Sequence, residues 1–408
     1  MMSDNNNQKI FNLCCIALTV TSMTFAIRAG ILGQLGNEFG LGGTELGWIN
    51  AMAFLGFPLA TMVGGVIYNA IGARKLIALA FICHLLGLVL TITAGGFWGL
   101  LISTFLIGFA NGAVEAGCNP LIAETYPDRK TTMLNRFHVW FPGGIVIGAL
   151  LSNLMTGYGL NWQWQVGIIV IPTLWYGVMM LKTVFPTYDD KLHSTTDNLR
   201  NLFNPLYLFL VICMTLTATT ELGTQQWIEK ILGASGASPM LVLALITGLM
   251  AVGRYFAGPI IKTFNPTGVL IGSALFASAG IYMMSIASGN LIYVAAILFA
   301  IGCTYFWPTM LGCVAEYTPK TGALGMSLIG GVGMFAVSMW NPVIGGWIDT
   351  ASEQAQQMNL SDVEANIFAG QTVLQNLLMF PLILIVAFVI LYVLVKKQTA
   401  NAQVASSN

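Results

Sequence analysis

Twelve separate stretches of this chain run for about 20 residues almost without charge, the length a helix needs to cross the hydrocarbon core of a bilayer. They fall at residues 11–33, 46–69, 76–96, 98–123, 134–156, 163–184, 205–229, 239–262, 267–287, 291–315, 322–347 and 372–395. The rest of the composition agrees. Only 8% of residues are charged, Lys+Arg 16 and Asp+Glu 16, where a soluble domain keeps about 25% to hold its surface in water. That balance excludes a soluble enzyme, a disordered chain and a nucleic-acid binder working through a basic surface. Met1 to Lys9 is polar and runs into an apolar stretch longer than a signal h-region, so the first span reads as retained. Seven cysteines lie mostly inside apolar runs without CxxC spacing, which reads as buried structural thiols.

The polar segment Phe185 to Phe203 is the one long break near the centre and divides the spans six and six. The expected organisation is an N-terminal six-helix bundle over 1–184, a central cytoplasmic loop over 185–203, and a C-terminal six-helix bundle over 204–408. Charge placement supports the count. With the N-terminus cytoplasmic, Lys9, Arg74, Lys75, Arg129, Lys130, Arg136, Lys182, Lys191, Arg200, Lys262, Lys320, Lys396 and Lys397 share that side. The opposite loops hold Lys230 alone among bases, with Glu38, Glu45, Glu229, Asp349, Glu353, Asp362 and Glu364. By the positive-inside rule both termini are cytoplasmic in a multi-pass cell (inner or plasma) membrane protein.

The halves echo each other. Ala123-Glu124-Thr125-Tyr126-Pro127 closes the fourth span and Ala315-Glu316-Tyr317-Thr318-Pro319 the tenth, while Gly65 precedes Gly258 by a similar offset. Parallel repeats of this kind build secondary transporters, with substrate held near midplane between the halves. The loop Gly65-Val66-Ile67-Tyr68-Asn69-Ala70-Ile71-Gly72-Ala73-Arg74-Lys75 resembles the G-x-x-x-D-x-x-G-x-[RK]-[RK] loop of the major facilitator superfamily, with Asn69 in place of its Asp. That resemblance implies an all-α membrane fold of twelve helices in two pseudo-symmetric bundles, with Gly65, Asn69, Gly72, Arg74 and Lys75 as the conformational-gating loop.

A charge near the bilayer centre needs a partner, a wet cavity or a function. Glu115 ranks first, in Gly112-Ala113-Val114-Glu115-Ala116-Gly117, where small residues let helices close in; it is a candidate for proton coupling and substrate binding. Arg28 and Glu221 occupy repeat-equivalent places on spans one and seven. Three readings stand for them: an ion pair between the halves, an anion clamp on Arg28, or a charge snorkelling to water. Glu221 is the second proton-coupling candidate. Arg254, one turn from a helix end, reads as a brace of the inner face, and His84 as packed and neutral. Gln225 and Gln226 suit the hydroxyls of a polyol, and Trp227, Trp140, Tyr305 and Trp307 offer faces for a sugar ring, or else helix contacts.

Spans four and five are also similar to the fucose–galactose–glucose proton symporters, the fucose permease group. Glu115, Ala116, Asn119 and Pro120 match its Glu-[Thr/Ala]-x-x-Asn-Pro run, Leu134 and Asn135 its Leu-Asn, and His138 stands where it has a polar side chain. This resemblance implies proton coupling and sugar binding at Glu115, with Asn119 and His138 beside it. The group's span-one Asp falls near Gly33, where no acid stands, and its span-five Asn at about Phe141. The function expected is import of a monosaccharide or close derivative by alternating access, proton-coupled, in a monomer. An organic-anion carrier clamping a sugar acid on Arg28 is the second reading and a metabolite or drug exporter the third. HExxH, GxSxG and GxxxxGK[ST] are absent, so neither a membrane enzyme nor an ATP-driven pump is expected, and no cofactor or metal is called for.

Overall fold

A computed structural model describes residues 4–126, 133, 136–186 and 200–407. The expected contributions of Arg129, Lys130, Leu134, Asn135, Lys191 and most of the central loop lie outside these residues. The described chain is helical, without strands among the described residues. Among the described residues eleven helices are long and apolar enough to cross a membrane, and Pro239–Tyr255 is a shorter apolar one. Twelve spans therefore stand in the expected order, the eighth cut short where the backbone breaks at Phe256 (φ −98°, ψ 17°). The first (Asn5–Phe39) and last (Asp362–Lys397) run longer than apolarity alone marks out.

The repeat is written into the backbone as well as the sequence. Gly72, between spans two and three, has φ 76° and ψ 162°, and Asn265, between spans eight and nine, has φ 55° and ψ 164°. Positive φ suits Gly and is tolerated by Asn, whose short amide bonds locally. Asn265 Oδ1 accepts from the Thr267 hydroxyl at 2.8 Å and the Gly268 N–H at 2.9 Å. Tyr126 (φ −125°, ψ 63°) and Thr318 (φ −131°, ψ 50°) likewise end spans four and ten in matching conformations. A Cβ at Gly72 meets nothing within 4 Å, so Gly72→Val is expected to cost backbone strain alone, about 1–3 kcal/mol, since positive φ with ψ near 160° is populated essentially by Gly. The check is a lowered midpoint in thermal unfolding of the purified protein.

Spans one to six pack mainly on one another, as do seven to twelve, and the two groups meet through spans one, two and five on one side and seven, eight and eleven on the other. Close backbone approach makes the second–eleventh contact possible: a Cβ on Gly47 would lie 2.5 Å from the Asn341 carbonyl oxygen and 2.6 Å from Pro342 Cα. The seam is tightest at the end opposite the termini. There Asp349 of span eleven accepts from the N–H groups of Gly43 (2.6 Å) and Thr44 (2.8 Å) and from the Thr44 hydroxyl (2.7 Å). A carboxylate from one half thus caps a helix of the other, satisfying orphan N–H groups at the positive end of its dipole. Gly33 N–H donates to Glu229 Oε2 at 3.0 Å, and Ser238 Oγ donates to Asn153 Oδ1 at 2.6 Å. Burial pushes the Glu229 carboxyl up from its ordinary range, while Lys230 and the Gly33 amide oppose that rise. A cavity of about 180 Å³ bordered by Gly43, Trp227, Lys230, Asp349 and Asn366 lies within this sealed end.

Candidate functional site

Two charged clusters and an aromatic layer lie within the spans. The first cluster joins spans four and five. Asn119 Nδ2 donates to Glu115 Oε2 at 2.5 Å, and His138 Nε2 lies 3.0 Å from Asn119 Oδ1 and 4.0 Å from Glu115 Oε2. Since the Asn119 amide gives its N–H to the carboxylate, its oxygen faces His138, which requires the imidazole proton on Nε2. The Glu115 side chain is 11% exposed and that of His138 44%, so the chain of three leads from a buried carboxylate to an accessible ring. Glu115, Asn119 and His138, expected together from the sequence, stand together.

The second cluster lies wholly in the other half. Span seven is not one α-helix: Pro205–Ala218 gives way to a π-helical turn over Thr219–Gly223, with Glu221 at its centre. Arg254 Nη2 donates to Glu221 Oε1 at 3.3 Å and its Nε to the Thr304 carbonyl at 3.0 Å. The Tyr305 hydroxyl donates to the Gly253 carbonyl at 3.1 Å, tying span ten to span eight beside the pair. This corrects one sequence expectation. Arg28 and Glu221 do not form an ion pair between the halves: Glu221 is taken by Arg254, and Arg28 donates to the amide oxygens of Asn50 and Gln226. Arg254, read from the sequence as a brace, is the partner. The missed signal was scarcity: a buried Glu221 needs a cation, and few are available inside the spans.

Arg28 is 7% exposed and points elsewhere. Its Nε donates to Asn50 Oδ1 at 3.0 Å and its Nη2 to Gln226 Oε1 across the seam at 2.7 Å. The guanidinium carbon sits 5.0 Å from the Phe25 ring centroid and 5.6 Å from that of Phe54, within cation–π range. Phe25, Phe54, Phe57, Leu222, Met334 and Val337 form an apolar cluster spanning both halves, with Phe141 and Trp307 packed against it.

The remaining candidates are distributed unevenly. Gln226 also donates to the Phe25 carbonyl at 3.4 Å, whereas Gln225 is buried against Met250 Sδ at 3.7 Å. Trp227 is fully buried, its indole N–H donating to Asn341 Oδ1 at 2.9 Å. The residue is closed off from bulk water in this conformation and borders the cavity of the sealed end. Trp140, half-exposed, stands at the first turn of the helix Trp140–Gly157. Of the loop residues, Gly65, Arg74 and Lys75 are exposed at the end carrying the termini. His84 is packed as expected, between Tyr176 Oη (2.9 Å) and Asn111 Oδ1 (2.8 Å).

Comparison with known proteins decides the family. The model named Major Facilitator Superfamily matches residues 14–340. The chain belongs to the major facilitator superfamily. Among curated relatives of this facilitator, the D-xylose transporter of Levilactobacillus brevis is 28% identical over 147 residues, 36% of this chain and 32% of that one. The galactose-proton symporter of Escherichia coli (strain K12) is 22% identical over 174 residues, 42% of this chain and 37% of the relative. The matched segments thus span only about a third of either relative. Among solved structures, a bacterial homolog to the human lysosomal transporter Spinster, described as inward-facing and unoccupied, superposes with a TM-score of 0.78 at 14% identity. It covers 95% of this chain and 97% of that one, a likeness of fold. The apolar helices and the family together make it a multi-pass membrane protein.

Proposed function

We propose that this facilitator is a monomeric secondary active importer of a monosaccharide or close derivative, coupled to protons through Glu115, in a cell (inner or plasma) membrane. The observation that carries the reading is the Glu115–Asn119–His138 chain. An ionised Glu115 accepts from Asn119, whose oxygen is thereby offered to His138. A protonated carboxyl gains an O–H that competes with His138 for the Asn119 amide oxygen. A proton on span four thus bears on a bond made by span five, a physical link between protonation and helix contact. Ring hydroxyls fit the amides and carboxylates of Glu115, Asn119, Gln226 and Glu221. The apolar face of a sugar fits the layer holding Phe141 and Trp307.

Basic residues gathered on the side of the termini orient that side to the cytoplasm, so the sealed end faces outward and the conformation is inward-facing. Transport then alternates access by rocking the bundles 1–184 and 204–408 about the seam, with the loop Gly65 to Lys75 as a gate on the cytoplasmic face. The D-xylose and galactose-proton relatives support the sugar class and the coupling. The test is uptake into proteoliposomes of labelled neutral sugars and sugar acids, with and without an inward proton gradient. Glu115→Gln is expected to lose gradient-driven accumulation, by about 10²-fold if the proton step is abolished as for other essential acid–base groups, while exchange of the same sugar survives. Accumulation in Glu115→Gln equal to that of the parent, or no sugar transport in either, overturns the reading.

A further inference from the structure

The two arginines inside the bundle are treated differently. Arg254 has a carboxylate, Glu221, at 3.3 Å. Arg28 is the more deeply buried of the two, yet among the described residues it has no carboxylate partner, only the amide oxygens of Asn50 and Gln226 and two aromatic faces. Those bonds use Nε and Nη2, and no acceptor is found for Nη1 among the described residues. Beside it, Asn50 is fully buried and its Nδ2 has no hydrogen-bond partner. The amide cannot be turned to cure this, because its oxygen is what Arg28 Nε requires. A buried cation without a counter-charge and a buried donor without an acceptor are both costly arrangements. Side by side they lack the same thing, an anionic acceptor.

We propose that Arg28 and Asn50 form the subsite for a carboxylate on the transported solute, so that the preferred substrate is an acidic monosaccharide such as a hexuronate. The two oxygens of one carboxylate serve the guanidinium edge and the Asn50 amide together, and the fork of Arg28 matches that planar group. Phe25 and Phe54, across which the guanidinium lies, exclude water and strengthen the contact. Gln226 holds Arg28 from the opposite half, so a ligand on this subsite is sensed by both bundles. This inference rests on the monosaccharide reading for the rest of the solute, whereas the subsite itself is argued from Arg28 and Asn50.

The experiment measures ligand-induced thermal stabilisation of the purified full chain with D-glucuronate, D-glucose and sodium acetate, in wild type, Arg28→Lys and Asn50→Asp. Wild type is expected to prefer D-glucuronate to D-glucose, and Arg28→Lys to reduce that preference about tenfold or more, as loss of a bidentate charged contact does. Asn50→Asp places a carboxylate where the ligand's would sit. It is expected to raise the unfolding midpoint without ligand and to abolish the response to D-glucuronate and acetate, which keeps the test decisive even if Arg28→Lys does not fold. Equal affinity for D-glucose and D-glucuronate in wild type, or an unaltered D-glucuronate response in Asn50→Asp, overturns the subsite. Acetate binding lost in Asn50→Asp without transport of any sugar upholds the subsite while refuting the monosaccharide reading.

Discussion

Arg254→Leu is expected to abolish transport and to destabilise the protein by about 3 kcal/mol, the lower end of what removing one partner from a buried pair costs. The lower end applies because the Arg254 side chain is 19% exposed and water offsets part of the loss, while Glu221 at 8% has little access to it. Glu221 would keep its place in the π-turn with no cation at hand, so the chain must either protonate it or open the helix to water. The double variant Glu221→Gln/Arg254→Leu separates the two contributions. Removing both charges should return most of the stability, since a buried pair contributes little net over neutral groups, but should not return transport. Thermal unfolding and sugar counterflow on the same preparations read both quantities. Full transport in the double variant would show that the pair is structural only and take Glu221 out of the site.

What the sequence could and could not show divides along a physical line. Spans, loops and the repeat depend on properties local to each segment, and these were readable: apolar length, glycine at a positive φ, a shared five-residue helix end. Glu115, Asn119 and His138 were also accessible, since two residues four apart on one helix share a face and the third partner follows in the next span. The seam was not. Glu229 meets the Gly33 amide 196 residues away, and Asp349 caps a helix beginning 306 residues before it. No motif encodes a carboxylate bonded to another half's backbone, because the donor there is a main-chain N–H that any residue but proline supplies. Gly33 illustrates the point. The resemblance to sugar symporters puts an acid near that position, none stands in the sequence, and the fold brings Glu229 to it from the other half. A Cβ there would lie 2.7 Å from Glu229 Oε1, so the small residue and the distant acid are one feature. The π-turn at Glu221 was hidden for a different reason. Thr219-Thr220-Glu221-Leu222-Gly223 has no residue that forbids an α-helix, and its register is set by the packing around it.

Gly345→Leu should lock the carrier open at the end that is sealed here. Gly345 faces Gly43 so closely that a Cβ would fall inside the van der Waals surface of the Gly43 carbonyl oxygen, and backbone on both sides leaves no flexible side chain to give way. Overpacking of this kind costs about 3 kcal/mol or more, which shifts a two-state equilibrium by roughly a hundredfold against the sealed state. The substitution spares the folded bundles themselves, because Gly345 meets Gly43 only when the halves are closed. Stability should therefore change little while transport falls by about the same hundredfold. Its neighbour is the control. A Cβ at Gly346 would meet Thr44 Oγ1 at 3.6 Å, an ordinary contact, so Gly346→Ala should transport normally. Ser352 borders the cavity at the sealed end, and the seven native cysteines are all buried, so Ser352→Cys reports access there to a membrane-impermeant thiol reagent. Labelling should be slow in the parent and Gly346→Ala and fast in Gly345→Leu. Equal labelling in all three, with transport intact in Gly345→Leu, would mean that the halves do not need to meet at Gly43 and that the seal lies elsewhere along the seam.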